Sequence, residues 1–267
     1  LERRLKEKSD KLLNMADNDI LESEAYLKEF EKQVKIVTDI NMSTLAEYVA
    51  RRKAVLNIFE RSLRLLRTGK YEREAFLHEL IFPMRTTDED VLYDSHNLWL
   101  IDERLTYSAY LASDISLGKE AEDKRPDIFR LSEPVLMSNE DNTGREFTSV
   151  SIFELKRPMR DDYNESKNPI DQLLEYVEKL QDGKVRDVNG RQINIGNKTR
   201  IYLYAVCDIT NTLRKQIRRN DFKEMPDGLG WFKNLESYNA YMEILPFDKI
   251  VSDAKARNRV FFEKLGL

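Results

Sequence analysis

The 267-residue chain carries 44 basic and 48 acidic residues, and this slight negative charge gives no overall attraction to nucleic acid or to anionic membranes. Any site for a polyanion must therefore be local. No stretch approaches the roughly 18 apolar residues that a membrane span needs, and no signal peptide is visible. Cys207 is the single cysteine, which excludes an internal disulfide framework and favours a cytoplasmic location.

The length supports one main domain with a smaller helical appendage. Helical patterns give way to short β-rich runs beyond Pro83, and we place a soft boundary near residue 70. The predicted parts are a helical segment at 1–70 and an α/β domain at 71–267. The chain begins at Leu1 inside a charged helical pattern, which indicates a piece of a longer polypeptide whose upstream domain is missing.

The N-terminal segment has the heptad spacing of a coiled coil. Two positions in this seam, Ala16 and Ser23, are small and weaken it. Assembly into a homo-oligomer and packing against another helix of the same chain therefore both remain open. The seam consists of Leu13, Ala16, Ile20, Ser23, Leu27, Phe30, Val34 and Val37.

Two further helices are predicted before the β-rich part begins. Thr44 and Glu47 form a capping box that predicts the start of a helix running to Leu66, and Gly69 is expected to terminate it. A third helix is predicted at 71–82, where Pro83 ends it.

Strands and helices then alternate, which predicts the α/β class with a central mixed β-sheet flanked by helices. Residues 128–137 and 146–156 are predicted strands of an antiparallel hairpin, separated by the turn-rich stretch SNEDNTG. Asn168 and Pro169 predict a helix start, and Gly183 its end. The remaining predicted elements are a central strand at 199–208, a basic helix at 213–223, a strand at 241–247 and a terminal helix capped by Asp248 and ending at Leu265.

The end of the second hairpin strand carries an acid and a base. Three Glu-x-Lys triplets occur in the chain, but only Glu154-Leu-Lys156 ends an apolar strand. Alternation along a strand places Glu154 and Lys156 on one face and the neighbouring Phe153 and Leu155 on the other. The two charged side chains are therefore expected to share one site.

The hairpin brings a second acid to the same place. In an antiparallel pair the start of the first strand lies opposite the end of the second, and Asp127 stands just before the first strand. Two converging carboxylates form a hard-oxygen site suited to Mg²⁺ or Mn²⁺, and the ammonium of Lys156 can position a water or offset phosphate charge. This combination indicates phosphodiester hydrolysis.

These residues resemble a known nuclease pattern. Pro126-Asp127 followed across a hairpin by Glu154-Leu-Lys156 is similar to the motif of the PD-(D/E)xK nuclease superfamily, and Gln172 and Tyr176 are similar to the Gln-x-x-x-Tyr motif of its RecB-like branch. The resemblance covers roughly residues 70–210 and implies a restriction-endonuclease-like fold. It also implies metal ligation by Asp127 and Glu154, a catalytic Lys156, roles for Gln172 in catalysis and Tyr176 in DNA binding, and DNA as substrate.

The superfamily often adds an acid from the helix before the sheet. Helical spacing puts Phe76 on the predicted buried stripe, Glu74 beside that stripe and Glu79 nearly opposite, so Glu74 is the preferred third metal ligand. His78 lies one turn from Glu74, but a partly exposed helical histidine is more often without a role.

Two further features bear on partners. The basic run Arg214, Lys215, Arg218 and Arg219 is expected to contact DNA phosphates, with a merely solvated face as the alternative. The stretches HELIFPM and NLWLIDERL are similar to nuclease-like tails on larger ATPases of bacterial phage-defence systems. The predicted function is a Mg²⁺-dependent DNA endonuclease, and the alternative is an inactive nuclease-fold module for nucleic-acid binding and oligomerisation.

Overall fold

The computed structural model describes residues 24–84, 86, 96–106, 110–113, 126–132, 149–165, 167–185, 192, 195–196 and 198–267. The chain divides into two compact units, of which one is Val55–Asn258 and the other combines Leu1–Ala54 with Arg259–Leu267. The sheet and the candidate site described below both belong to Val55–Asn258.

The described part of the chain contains a seven-stranded mixed sheet in the order β1-β2-β3-β4-β7-β6-β5. The three central strands, β3, β4 and β7, are parallel, and the strands on both sides of them are antiparallel. The predicted α/β class with a central mixed sheet is therefore confirmed. The strands are β1 Tyr110–Ser113, β2 Ile128–Ser132, β3 Ser149–Leu155, β4 Arg200–Val206, β5 Lys223–Glu224, β6 Trp231–Leu235 and β7 Ala240–Leu245.

Five helices accompany the sheet in the residues that the structure describes, and three short 3₁₀ turns at 98–100, 103–106 and 236–238 complete the set of helical elements. None of these helices has the length and apolar content required to cross a bilayer. The helices are α1 Glu24–Ser62, α2 Glu74–Ile81, α3 Pro169–Gln181, α4 Asn211–Arg219 and α5 Phe247–Leu265.

The central strands are buried on one face and at least half-buried on the other. On one face Ile152 and Leu203 join the apolar cluster that includes Leu173 and Val177 of α3. On the opposite face the rings of Phe153 and Tyr204 stack with centroids 4.6 Å apart. This burial explains why β3 and β4 are almost continuously apolar, as parallel central strands usually are.

Helix α3 begins and ends where its sequence predicts. The side chain of Asn168 accepts a hydrogen bond from the backbone N–H of Asp171 at 3.0 Å, and Pro169 occupies the first turn. Gly183 follows the helix with a φ of 65°, a backbone conformation that favours glycine. These two ends fix the position of Tyr176 along the sheet.

The prediction of a helix start at Thr44 is wrong, because α1 runs without interruption from Glu24 to Ser62. No glycine or proline lies within this range, so nothing forces the helix to stop, and helical backbone bonds satisfy the N–H groups that a cap would otherwise serve. Residues 13–23 of the heptad seam, and the side chains of its other members, lie outside what the structure describes.

Smaller differences concern element ends. Helix α2 begins at Glu74 rather than at Tyr71, and α5 begins at Phe247, so Asp248 lies in its first turn instead of capping it. The basic helix α4 spans Asn211–Arg219, and the predicted end of that helix instead contributes the edge strand β5. Residues 133–148, which include the predicted hairpin turn, lie outside the described residues.

The Asn168 cap yields a stability prediction. We expect Asn168→Ala to lower the free energy of unfolding by about 1 kcal/mol, because the N–H of Asp171 then loses its acceptor. Urea unfolding followed by circular dichroism measures this change. Asn211→Ala, at an exposed position that starts α4, is the matched control, and an equal loss in both variants would contradict a specific role for the cap.

Candidate active site

The β2–β3 hairpin brings Asp127 to the end of β3. Ile128 pairs with Phe153 in an antiparallel register, so the start of β2 lies opposite the end of β3. Asp127 therefore lies next to Glu154, and its Oδ2 accepts a hydrogen bond from the backbone N–H of Leu155 at 2.5 Å. The convergence that the sequence predicts is present in the structure.

Glu154 and Lys156 form a buried ion pair. Both residues are only 4% exposed, and the ammonium of Lys156 donates a hydrogen bond to Oε1 of Glu154. The other carboxylate oxygen, Oε2, is buried and has no hydrogen-bond partner of normal geometry among the described residues. A buried oxygen of this kind costs free energy unless a ligand, an ion or a water contacts it.

The pKa values of the cluster are shifted by burial first and by neighbouring charges second. Burial, followed by the charge of Glu154, raises the pKa of Asp127 well above its usual value. Burial also raises the pKa of Glu154, although Lys156 opposes this shift. Burial would lower the pKa of Lys156, but the surrounding carboxylates outweigh it and raise that pKa. Lys156 is therefore an ammonium at neutral pH.

Glu74 is the third acid of the cluster. Its Oε2 accepts a hydrogen bond from the backbone N–H of Arg157 at 3.0 Å, and its charge contributes to the raised pKa values of Asp127 and Glu154. Glu79 instead accepts a hydrogen bond from the N–H of Met84 at 3.0 Å. Glu74 therefore acts on the charges of the cluster, and its role as a metal ligand stays a prediction.

His78 lies beside the cluster, and it is buried, not partly exposed as the sequence suggested. The buried stripe of α2 contains Leu77, His78 and Ile81, whereas Phe76 is 42% exposed. The Nδ1 atom of His78 lies 3.7 Å from Oδ1 of Asp127. The spacing of one helical turn between Glu74 and His78 was the signal for this position in the sequence. The prediction instead placed Phe76 on the buried face of α2, and this choice put His78 outside that face.

Helix α3 contributes Tyr176 to the cluster and carries Gln172 one turn earlier. Tyr176 is buried, and burial followed by the charges of Glu154 and Asp127 raises the pKa of its hydroxyl. Hydrogen bonding to Tyr176 in turn favours the charged form of Glu154 and lowers its pKa. Gln172 lies one turn earlier on the same helix, half-buried, and its side chain makes no hydrogen bond to a described residue.

The donor set suits a hard divalent cation. Asp127 and Glu154 supply carboxylate oxygens, and Oε2 of Glu154 is a buried oxygen without a hydrogen bond of normal geometry among the described residues. Within the described ranges no group of three or more potential ligands is already gathered around one point. Mg²⁺ commonly binds through one or two carboxylates and completes its shell with waters and substrate phosphates, so the residues present fit this ion.

A tight turn follows Lys156 and includes an unusual residue. Met159 has a φ of 53° directly after Pro158, at a turn position where glycine or asparagine is usual. For other residue types this left-handed conformation costs roughly 1–2 kcal/mol. Its backbone N–H donates to Oδ2 of Asp208 at 2.7 Å, and this bond holds the turn against the end of β4.

The four basic side chains of α4 are exposed. Arg219 pairs with Glu165 at 2.5 Å, and the guanidinium of Arg214 lies 6.0 Å from the ring centroid of Trp231. The first turn of α4 is tied to the loop that follows Lys156, because Asp161 accepts hydrogen bonds from the N–H and hydroxyl of Thr212. The basic helix is thus anchored to the loop that borders the carboxylate cluster.

Comparison with known proteins found no family model, no curated protein and no solved structure that matches this chain. Function therefore has to be inferred from the geometry and chemistry of the site.

The carboxylate cluster predicts a pH-dependent stability. In the unfolded chain Asp127 has an ordinary pKa of about 4, so its raised pKa means that the folded state binds the proton more tightly. Stability in EDTA should therefore fall as pH rises above about 4 towards the raised pKa of the folded state. Asp127→Asn keeps an acceptor for Leu155 without this charge and should be more stable than the parent at pH 7.

Urea unfolding in EDTA between pH 5 and 8 measures this effect. The stability difference between Asp127→Asn and the parent should grow with pH, and Mg²⁺ should reverse it by stabilising only the parent. Asp162→Asn, at an exposed carboxylate with a lowered pKa, is the control and should show the opposite sign. If Asp127→Asn were less stable than the parent by the same amount at every pH, the ionisation of Asp127 would not be the cause of the pH dependence.

Proposed function

We propose that this chain is a metal-dependent DNA endonuclease with the restriction-endonuclease-like architecture of the PD-(D/E)xK superfamily. The observation that carries the proposal is the buried Glu154–Lys156 pair, which shares the end of β3 with Asp127. Buried charges are rare unless they are paired or bind an ion. A polar cluster of this composition suits phosphodiester hydrolysis.

Each residue has a distinct role in this proposal. Asp127 and Glu154, with Glu74 beside them, would hold Mg²⁺ or Mn²⁺. Such an ion, when bound, polarises the phosphate and lowers the pKa of a coordinated water. Lys156 remains charged at neutral pH, so it orients the attacking water or offsets charge on the phosphate instead of removing a proton. The hydrogen bond of Tyr176 favours the charged form of Glu154, against the effect of burial on its pKa.

The proposal also covers partners and setting. The basic side chains of α4 would bind DNA phosphates, and Gln172 would position substrate. The N-terminal heptads would form a coiled coil that joins copies of the chain. The whole protein would be a cytoplasmic phage-defence or DNA-processing protein in which an upstream domain of the same polypeptide, such as an ATPase, controls cleavage.

A second candidate is a nuclease-fold module that binds nucleic acid without cutting it. The observation in its favour is the direct contact between Lys156 and Glu154, which neutralises part of the carboxylate pair that a metal would need. Plasmid cleavage by the parent protein in Mg²⁺ or Mn²⁺, and its loss in EDTA, distinguishes the two candidates.

Substitutions at the cluster should separate metal binding from chemistry. We expect Asp127→Asn and Glu154→Gln to weaken Mn²⁺ binding and cleavage together, because each replaces an anionic ligand by a neutral one. Lys156→Ala should retain Mn²⁺ binding and lose cleavage by about 10²- to 10⁴-fold. Gln172→Ala should have a milder effect on cleavage. Calorimetric Mn²⁺ titration and a plasmid-nicking assay measure the two properties.

The exposed triplet Glu165-Ser-Lys167 supplies matched controls, because it carries the same residue types outside the cluster. Glu165→Gln and Lys167→Ala should leave Mn²⁺ binding at the parent level. The proposed function is wrong if Glu154→Gln binds Mn²⁺ and nicks plasmid like the parent.

DNA affinity should depend steeply on salt, since only local basic elements can replace counterions on the phosphates. The double variant Lys215→Glu and Arg218→Glu should bind more weakly, and its slope of log affinity against log salt should be shallower by about one unit for each phosphate that the protein no longer neutralises. Fluorescence anisotropy with a labelled duplex measures both. If Arg259→Glu and Lys264→Glu on α5 changed affinity and salt slope equally, the basic side chains of α4 would be a solvated face without a specific role in DNA binding.

A further inference from the structure

Met159 is both strained and exposed. It adopts the left-handed conformation and is 51% exposed, so burial of its side chain does not offset the strain of its backbone. The other described non-glycine residues with positive φ are Asp221 and Asn239, which are residue types that adopt this conformation more readily than methionine does. Stability alone therefore gives no reason for a methionine at this position.

The surrounding structure holds the turn from several sides. Glu74 accepts the N–H of Arg157, Asp208 accepts the N–H of Met159, and the hydroxyl of Thr210 donates to the carbonyl of Arg160. These partners belong to α2 and to the segment that joins β4 to α4. Strained residues persist where the surroundings fix them, and such positions cluster at functional sites.

The turn borders the carboxylate cluster. Met159 follows Lys156 by three residues, and Glu74, which belongs to the cluster, also accepts the N–H of Arg157. The backbone of Lys156 is itself fixed, because its N–H donates to the carbonyl of Val206 at 2.9 Å. An exposed apolar side chain is thus presented on a rigid turn beside the residues proposed to act on phosphate.

The groups around Met159 favour a nucleic acid as the partner. Arg157 is exposed two residues before it, so a cationic side chain stands beside the apolar one, whereas Arg160, which follows it directly, is half-buried and paired with Asp162 at 2.7 Å. Proteins that distort duplexes combine these features: basic groups hold the phosphates while an apolar wedge such as methionine enters between base pairs.

We propose that Met159 inserts between two bases of the bound DNA, next to the phosphate that is cleaved, and so selects substrates with an unstacked base step. This inference rests on the proposed function and adds the state of the substrate that the site accepts. Unstacking costs free energy, and DNA that already has a mismatch or an opened step avoids that cost.

The test begins with the parent protein and a defined duplex, on which the cleaved phosphate is mapped. The same duplex is then prepared with a mismatch at the flanking base pair. We expect Met159→Ala to cut the paired duplex about tenfold more slowly and to recover most of this loss on the mismatched duplex. Met159→Leu, which keeps apolar bulk, should discriminate between the two duplexes less than Met159→Ala does.

Binding without cleavage supplies a second readout. In a Lys156→Ala background, 2-aminopurine placed beside the mapped phosphate should become more fluorescent on binding, because the base loses its stacked neighbour. Met159→Ala should abolish this increase. Leu229→Ala removes a similarly exposed apolar side chain outside the turn and is the control for both readouts.

The outcomes separate the two proposals. Two results would contradict the insertion of Met159 while leaving the proposed nuclease activity intact, provided that the parent cuts DNA. In one, Met159→Ala retains the fluorescence increase; in the other, it is slowed equally on both duplexes. If the parent neither binds nor cuts DNA, both proposals fall. Met159→Gly tests folding independently: its melting temperature should equal or exceed that of the parent, since glycine accepts a positive φ without strain.

Discussion

The burial of Glu154 and Lys156 at the end of β3 is the constraint on which the rest of the site depends. Removing two charges from water costs on the order of several kcal/mol per ion, and their mutual attraction offsets this only with good geometry and further hydrogen bonds. Different elements act on the two charges: Asp127 from the hairpin and Glu74 from α2 join Glu154 in raising the pKa of Lys156, and Tyr176 from α3 hydrogen-bonds Glu154.

The parts of the fold that the sequence predicted are those with strong local signals. Apolar runs on both faces identify β3 and β4, and the cap at Asn168 identifies the start of α3. The placement of Asp127 beside Glu154 required only the symmetry of an antiparallel hairpin and a turn-rich stretch at its centre. Alternation along β3 then sufficed to put Glu154 and Lys156 in contact.

The parts that were not predicted depend on tertiary context. The side chains of β6 are all at least partly exposed, so the strand has no apolar alternation to identify it. The capping box at Thr44 has the right residues, but a helix already in progress makes a cap unnecessary. His78 replaces Phe76 on the buried face because a polar partner, Asp127, lies on that side, and periodicity alone treats a phenyl ring as the better core residue.

Two departures from ordinary stability rules occur at the same edge of the sheet. One is a carboxylate cluster with more negative than positive charge, and the other is an exposed methionine in a left-handed turn. Glu74 contacts the turn and acts electrostatically on the cluster, so both departures occupy one neighbourhood. In the proposed function, a divalent cation would neutralise the carboxylates, and the bound DNA would cover the exposed apolar side chain. Local rules that fail together in one place are the pattern expected of a site shaped for a ligand and not for stability alone.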